Sequence, residues 1–208
     1  MGKVKMKKND VWIDMTPMSD VMVLLLTFFM LTSTFVKNEA VKVVTPGSVT
    51  EAKVPTADVL NITVNPQGQV FMSMDKTSDL VAALDEMCDL FGVQLSGEQR
   101  TKFRDDPQFG ISMTKLSAYL TLPREKMSEG LKVGGGIPTD SIGEGESKQM
   151  SEFQHWVKAA KGNNPDLKLC IKADVTTPYS SIKKVMSELQ DMNENRYQLL
   201  TSYKKAEE

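Results

Sequence analysis

A run of sixteen residues without a charged side chain, Val21 to Val36, limits what this chain can fold into more than any other feature. Counted from Pro17, a helix that ends at Val36 has twenty residues. At about 1.5 Å per residue such a helix is about 30 Å long, which matches the hydrocarbon thickness of a bilayer. Thr16 is a suitable N-cap and Pro17 a suitable first helical residue. The sequence therefore predicts a single transmembrane helix over residues 17–36.

The lysines around this helix give only a slight preference for one orientation, because they precede and follow it at comparable distances. A short arm before a signal-anchor helix favours a cytoplasmic N-terminus. We therefore expect residues 1–16 to be a cytoplasmic arm and the chain beyond residue 36 to be exported. A cleaved signal peptide is the alternative. The helix length, the acid at its head and the absence of an A-x-A-like site after Val36 disfavour it.

Asp20 stands at the head of the apolar run, although a carboxylate at the centre of a membrane helix costs about 2.5 to 3.5 kcal/mol on the insertion scale. Thr27 and Thr34 follow it at intervals of seven residues, so the three side chains lie on one side of the helix. Such a polar stripe indicates a helix that packs in a protein bundle or beside a water-filled path. Two simpler interpretations stay open. In the first, Asp20 is a first-turn acid whose carboxylate reaches the lipid headgroups. In the second, the threonine hydroxyls bond to their own helix backbone.

After this helix the sequence predicts a tether and then a small α+β domain. Residues 37–56 contain short apolar pieces broken by Pro46 and Pro55, which is typical of a tether with little core of its own. Residues 57–204 form the domain. It opens with a β-hairpin in which "LNITV" and "QVFMS" flank a turn-forming cluster. A helix capped by Ser78 follows, and its buried face is predicted to contain Leu80, Ala83, Leu84, Met87, Cys88 and Phe91.

The second half of the domain is less regular. Residues 92–148 combine a charged piece, a short apolar piece and a glycine-rich loop, which indicates an insertion. A helix "SEFQHWVKAA", a strand "LKLCIKA" and a helix that begins after Pro178 come next. The run from Arg196 to Tyr203 is β-prone, and residues 205–208 form a charged tail. The apolar stripe of the last helix is predicted to contain Tyr179, Ile182, Val185, Met186, Leu189 and Met192.

The composition disfavours several classes of function. The formal net charge is −2 and the lysines and arginines form no basic face, so we expect no nucleic-acid partner. One histidine and two cysteines leave no set of zinc ligands, and we expect neither a metal nor a cofactor. Asp174, His155 and the scattered serines form no nucleophile-and-base motif, so we expect no enzyme activity. Cys88 on a helix face and Cys170 on the far face of a strand should stay unbridged.

Two separated stretches of the chain resemble the ExbD/TolR family of proton-driven motor subunits. "IDMTPMSDVMVLLLTFFMLTS" is similar to the single transmembrane helix of that family, through its Thr-Pro pair, Asp20 and the leucine run. "IKADVTTPYSSIKKVMSELQD" resembles the periplasmic strand and helix of the family, and it contains Asp174, Pro178 and Tyr179. The hairpin fits the family domain as well. The insertion at about 92–148 departs from the short family pattern.

The resemblance implies an inner-membrane subunit that lies in the lipid bilayer with its C-terminal domain in the periplasm. It implies that Asp20 carries protons, the coupling ion, inside an ExbB-like pentameric channel subunit that also holds a second copy of the chain. The periplasmic domain would bind a TonB-like transducer or the cell wall, and it would self-associate through the edge strand Arg196 to Tyr203. An ExbD-like role in outer-membrane import and a TolR-like role in envelope integrity both stay open. A signal-anchored periplasmic binding or scaffold module, with no proton role, is the alternative from another class.

Overall fold

The computed structural model describes residues 14–33, 41–48, 55, 57–106, 108–140 and 150–203, with the side chains of 202 and 203 left aside. The chain divides into two units, Met1–Lys37 and Asn38–Glu208. The first unit contains one described helix, α1, and the second is a mixed α/β domain.

Helix α1 (Thr16–Thr32) starts one residue before the predicted position and ends four residues before it. Thr16 is the first helical residue and not the N-cap, because its hydroxyl and its N–H both donate to the carboxylate of Asp14. Ser33 is extended, which interrupts the helix, and the rest of the predicted span to Val36 lies outside the described residues. Among the described helices none is both long enough and apolar enough to cross a membrane.

The expectation of an α+β domain that begins with a β-hairpin is confirmed. The four-stranded sheet has the strand order β3-β2-β4-β5, and β1 and β6 form a separate parallel pair. The β2–β3 hairpin is antiparallel, whereas β4 runs parallel to both of its neighbours. The strands in the described ranges are β1 (Gly47–Ser48), β2 (Val59–Val64), β3 (Val70–Met74), β4 (Lys168–Ala173), β5 (Tyr197–Leu200) and β6 (Ser202–Tyr203).

Six described helices of the domain contribute side chains to its hydrophobic core. In the second helix the predicted apolar face is buried up to Cys88, but Phe91 at its end is 41% exposed. In the last helix Val185 and Leu189 are buried, while Tyr179 at its start is 72% exposed. Side chains at helix ends extend beyond the neighbouring elements, so periodicity overstates their burial. The helices are α2 (Thr77–Phe91), α3 (Gly97–Asp105), α4 (Met113–Leu120), α5 (Arg124–Val133), α6 (Glu152–Asn163) and α7 (Tyr179–Asp191).

The predicted insertion is part of the main core. Its three helices α3, α4 and α5 each bury an apolar side chain in the hydrophobic cluster of the domain, and Phe103 of α3 is 1% exposed. The rings of Phe103 and Phe109 pack against Trp156 of α6, with centroid distances of 6.1 and 4.7 Å. Aromatic contacts of this kind join the inserted helices to the helix that follows them.

A segment between α3 and α4 and a segment after α5 cover the edge of the sheet at β3. Met72 and Phe109 exchange two backbone hydrogen bonds of 2.7 and 2.8 Å, and the Ile137 N–H donates to the Val70 carbonyl at 2.9 Å. Gly136, with φ +80°, passes so close to β3 that a Cβ atom would lie 2.8 Å from the Val70 nitrogen. Because glycine has no Cβ atom, it adopts this positive φ without strain and also leaves room for the close approach to β3. Of the two sheet edges, β3 is therefore covered, which blocks pairing with another chain there.

The prediction that the two cysteines stay unbridged is confirmed, since Cys88 and Cys170 are both free and buried. Cys170 lies opposite Asn61 in the β2–β4 pairing, so it occupies the other face from Leu169 and Ile171. Of these three residues of β4, Leu169 and Ile171 belong to the core cluster and Cys170 does not.

Replacing Phe103 by alanine should lower the free energy of unfolding of the whole domain by about 3 to 5 kcal/mol, the usual cost for a buried phenylalanine. The matched control is Val133→Ala in α5, where the valine is 85% exposed and the change should stay below about 0.5 kcal/mol. Denaturant unfolding followed by circular dichroism and by amide exchange in β4 measures both. Unchanged unfolding of β4 in Phe103→Ala would contradict a shared core.

The half-buried Asp106 should make the domain less stable as the pH rises. Burial raises the pKa of the Asp106 carboxyl above its ordinary 3.8, although the Tyr119 hydroxyl donates to it at 2.8 Å. The folded state therefore holds this proton more tightly than the unfolded state, and that advantage is lost as the pH rises through the folded pKa. Asp106→Asn cannot ionise, so its stability relative to wild type should increase with pH above about 4. Chemical denaturation at several pH values measures this difference, and a constant difference would contradict the effect.

Candidate functional site

The hydroxyl groups of α1 are bonded within the helix region itself. Ser19 donates to the Met15 carbonyl at 3.1 Å and Thr27 to the Leu24 carbonyl at 2.9 Å. Thr32 donates to the Phe28 carbonyl at 2.8 Å. Together with Thr16, which donates to Asp14, these are all the hydroxyl side chains of α1. None of them needs a partner outside the helix region.

Asp20 differs from these groups because its carboxylate has no hydrogen bond or ion pair with any described residue. It lies beyond the first turn of α1, which contains no acid, so its position is not that of a first-turn acid. Thr27 lies on the same side of the helix, but its hydroxyl is occupied by its own backbone. Thr34 lies outside the described residues. The predicted stripe thus has one described member without a hydrogen-bond partner among the described residues, Asp20.

Every residue of α1 is exposed, including the large apolar side chains that surround Asp20. Met22 and Leu24, for example, are 71% and 65% exposed. A helix with such a surface gains free energy when lipid or another protein covers it. A cover of this kind would also remove water from around the Asp20 carboxylate.

The second group of predicted site residues lies where β4 ends, beside the described part of the tether. One Asp174 oxygen accepts the Val44 N–H at 2.8 Å, and the other accepts the Thr176 N–H at 3.0 Å and its hydroxyl at 2.7 Å. The Val175 N–H donates to the Val44 carbonyl at 2.9 Å. We call Val44, Asp174, Val175 and Thr176 the tether junction. The two Thr176 donors and the Val44 N–H hold the pKa of the Asp174 carboxyl below its usual value.

The other two residues of the predicted motif have separate positions. Pro178 occupies the N-cap position of α7, and Tyr179 is the exposed first residue of that helix. The neighbouring Thr177 is buried, and its hydroxyl donates to the Asn65 carbonyl at 3.1 Å. The contact of Thr177 with Asn65 was not predicted from the sequence. The "DVTTP" stretch was the available signal, since Asp and Thr before Pro are typical of side-chain-bonded turns.

The tether is more firmly held than its composition predicts. Val41 is buried, and its N–H donates at 2.9 Å to the side-chain oxygen of Gln108, which is 1% exposed. Because Gln108 belongs to the predicted insertion, the insertion and the tether junction fix the two ends of the same short segment. Val41 also belongs to the hydrophobic core cluster, so this part of the predicted tether contacts the core of the domain.

No group of histidine, cysteine, aspartate or glutamate side chains in the described ranges could hold a metal ion. His155 packs its ring against Phe91 at a centroid distance of 5.9 Å. Burial lowers the pKa of this imidazole. Its contact is an ordinary packing contact between α2 and α6.

A family model described as biopolymer transport protein ExbD/TolR matches residues 6–204 of the chain. The match includes both α1 and the tether junction. Neither a curated protein nor a solved structure matches the chain.

Replacing Asp174 by alanine should free the tether at the Val44 amide. The carboxylate is the acceptor of that N–H, so the hydrogen exchange of Val44 should become several times faster. The amide of Ile171, in the middle of β4, is the internal control and should be unaffected. Because the pKa of Asp174 is lowered in the folded state, the wild-type contact should also weaken as the pH falls through that value. Unchanged exchange at Val44 in the alanine variant would contradict this role.

Proposed function

Because the chain belongs to the ExbD/TolR family of biopolymer transport proteins, we propose that it is a motor subunit driven by the proton-motive force in an ExbB–ExbD-type complex. The segment around α1 anchors the chain in the inner membrane, with residues 1–16 in the cytoplasm and the α/β domain in the periplasm. Asp20 is the proton carrier. The work is delivered to a TonB-like transducer for import across the outer membrane.

The free carboxylate of Asp20 is the observation that carries this proposal. It is the one ionisable side chain of α1, and it has no partner among the described residues, whereas the helix hydroxyls are all bonded. Protonation and deprotonation of Asp20 therefore break no hydrogen bond of the described structure. A carrier needs this property, because it must alternate between two protonation states at little structural cost.

The chemistry needs one O–H bond to form and break. Asp20 accepts a proton from one side of the membrane, becomes a neutral acid, and releases the proton to the other side when its access changes. A low-dielectric surrounding disfavours the charged form, which drives the cycle toward protonation before the helix moves. The apolar exposed surface of α1 supports such a surrounding, supplied by a pentameric ExbB-like channel subunit.

The edge strand β5 supports self-association of the periplasmic domain. It ends the sheet on the side opposite the covered β3 edge, and Leu199 in it is 52% exposed. Unpaired strand edges with exposed apolar side chains pair readily with another strand. We propose that a second copy of the chain uses this edge inside the complex, and that the domain binds the transducer or the cell wall.

A TolR-like role in envelope integrity would use the same Asp20 chemistry and is the nearest alternative. It differs in the partner that receives the work. A signal-anchored scaffold module is the alternative without proton transfer. It predicts that Asp20 can be replaced without loss of function.

Asp20→Asn should reduce proton flux to the level of empty liposomes, in vesicles that contain the complex assembled with its channel partner. Asparagine keeps the shape and hydrogen-bonding capacity of the side chain but cannot exchange a proton. Asp20→Glu should keep part of the flux.

The matched control is Asp14→Asn, at the start of the same helix. Asparagine serves helix starts about as well as aspartate, so this variant should conduct protons like wild type. Assembly of both variants with the channel partner is measured by co-purification. Wild-type flux through an assembled Asp20→Asn complex would exclude Asp20 as the carrier and favour the scaffold alternative.

A further inference from the structure

We propose that a cavity between the tether, the β2–β3 turn and the end of α5 binds an acidic peptide segment, and that the bound segment holds the tether on the domain. The cavity has a volume of about 670 Å³. Its lining includes Val41 and Lys42 of the tether, Asn65, Gln67 and Gln69 of the turn, and Lys132 of α5. The site does not involve Asp20, so it stands or falls separately from the proton-carrier proposal.

The charge of the lining identifies the class of ligand. Its charged side chains are two lysines, Lys42 and Lys132, and no carboxylate lines the cavity. Both lysines are exposed, and neither makes a hydrogen bond or ion pair with any residue that the structure describes. Two ammonium groups that share a cavity without a counter-charge attract anions, and carboxylates form charge-assisted hydrogen bonds with them.

The turn adds amide donors to this positive site. The Asn65 side chain is bonded within the turn, because its oxygen accepts the Gln67 and Gln69 N–H groups at 3.1 and 2.8 Å. Its amide nitrogen donates to the Gln69 side-chain oxygen at 2.7 Å. The Gln69 side-chain nitrogen and the exposed Gln67 amide are thereby left for a ligand. Amide donors beside lysines suit a peptide with carboxylate side chains, and the volume exceeds what a single small ion fills.

Occupancy of this cavity is coupled to the tether because the tether supplies part of its wall. Val41 is held by Gln108 and Val44 by Asp174, so Lys42 between them is brought to the cavity only when this segment is docked. A ligand that contacts both Lys42 and Lys132 binds the docked form and shifts the equilibrium toward it. At a ligand concentration of 100 times its Kd, the docked form is favoured by about 100-fold more than without ligand.

Calorimetric titration of the full-length chain in detergent with the capped dipeptide acetyl-Glu-Glu-amide tests this site. Binding should be at least about tenfold weaker in Lys132→Gln and in Lys42→Gln, since each loses one charge-assisted contact. Lys126→Gln is the matched control, because this exposed lysine lies on α5 but not in the cavity. It should bind like wild type. The neutral acetyl-Gln-Gln-amide should not bind.

Equal weakening in Lys126→Gln would show a general charge effect and overturn the site. Binding of inorganic phosphate without binding of the acidic dipeptide would overturn the assignment of a peptide ligand. In the same samples, the dipeptide should slow hydrogen exchange at the Val44 amide in wild type but not in Lys132→Gln. Unchanged exchange in wild type with the ligand bound would overturn the coupling to the tether.

Discussion

The parallel pairing of β2 with β4 is the contact on which the rest of the domain depends. It places Val59 opposite Lys168 and Val64 opposite Ala173, residues that are far apart in the chain. Parallel strands need a long connection, and here that connection contains β3, α2, the inserted helices and α6. Each of these elements supplies side chains to the hydrophobic core of the domain. The insertion therefore could not remain an appendage, and its aromatic side chains close the core together with α6.

The same pairing creates the tether junction. Because β2 and β4 run in the same direction, their last residues lie side by side, and Asn65 and Asp174 follow them at one end of the sheet. Asp174 then receives the tether, while Thr177 bonds to the turn that contains Asn65. The first turn of α7 starts from this point. A single strand pairing thus positions the predicted motif, the docked tether and the lysine-lined cavity.

Local patterns in the sequence were sufficient for the elements that depend on near neighbours. The hairpin follows from turn-forming residues between two β-prone runs, and the buried faces of α2 and α7 follow from helical periodicity. Phe103 could not be predicted, because it is an isolated aromatic residue in a charged segment and is buried only by distant rings. Thr16 is the first helical residue and not the cap, and its N–H and hydroxyl both donate to the Asp14 carboxylate, a local contact that the sequence analysis did not consider. The docking of Val41 depends on Gln108, a long-range contact that leaves no local signal.

For Asp20 the sequence showed an acid at the head of an apolar helix. It did not show that the carboxylate has no hydrogen-bond partner among the described residues. Proton transfer through this residue is tested most directly by isotope-edited infrared spectroscopy of the assembled complex with 13C-labelled aspartate. A carboxylic acid band that changes with the pH on one side of the membrane, and that is missing in Asp20→Asn, is the expected result. If wild type shows no carboxylic acid band that Asp20→Asn lacks between about pH 5 and pH 9, Asp20 takes up no proton in this range, which would contradict its proposed role as the carrier.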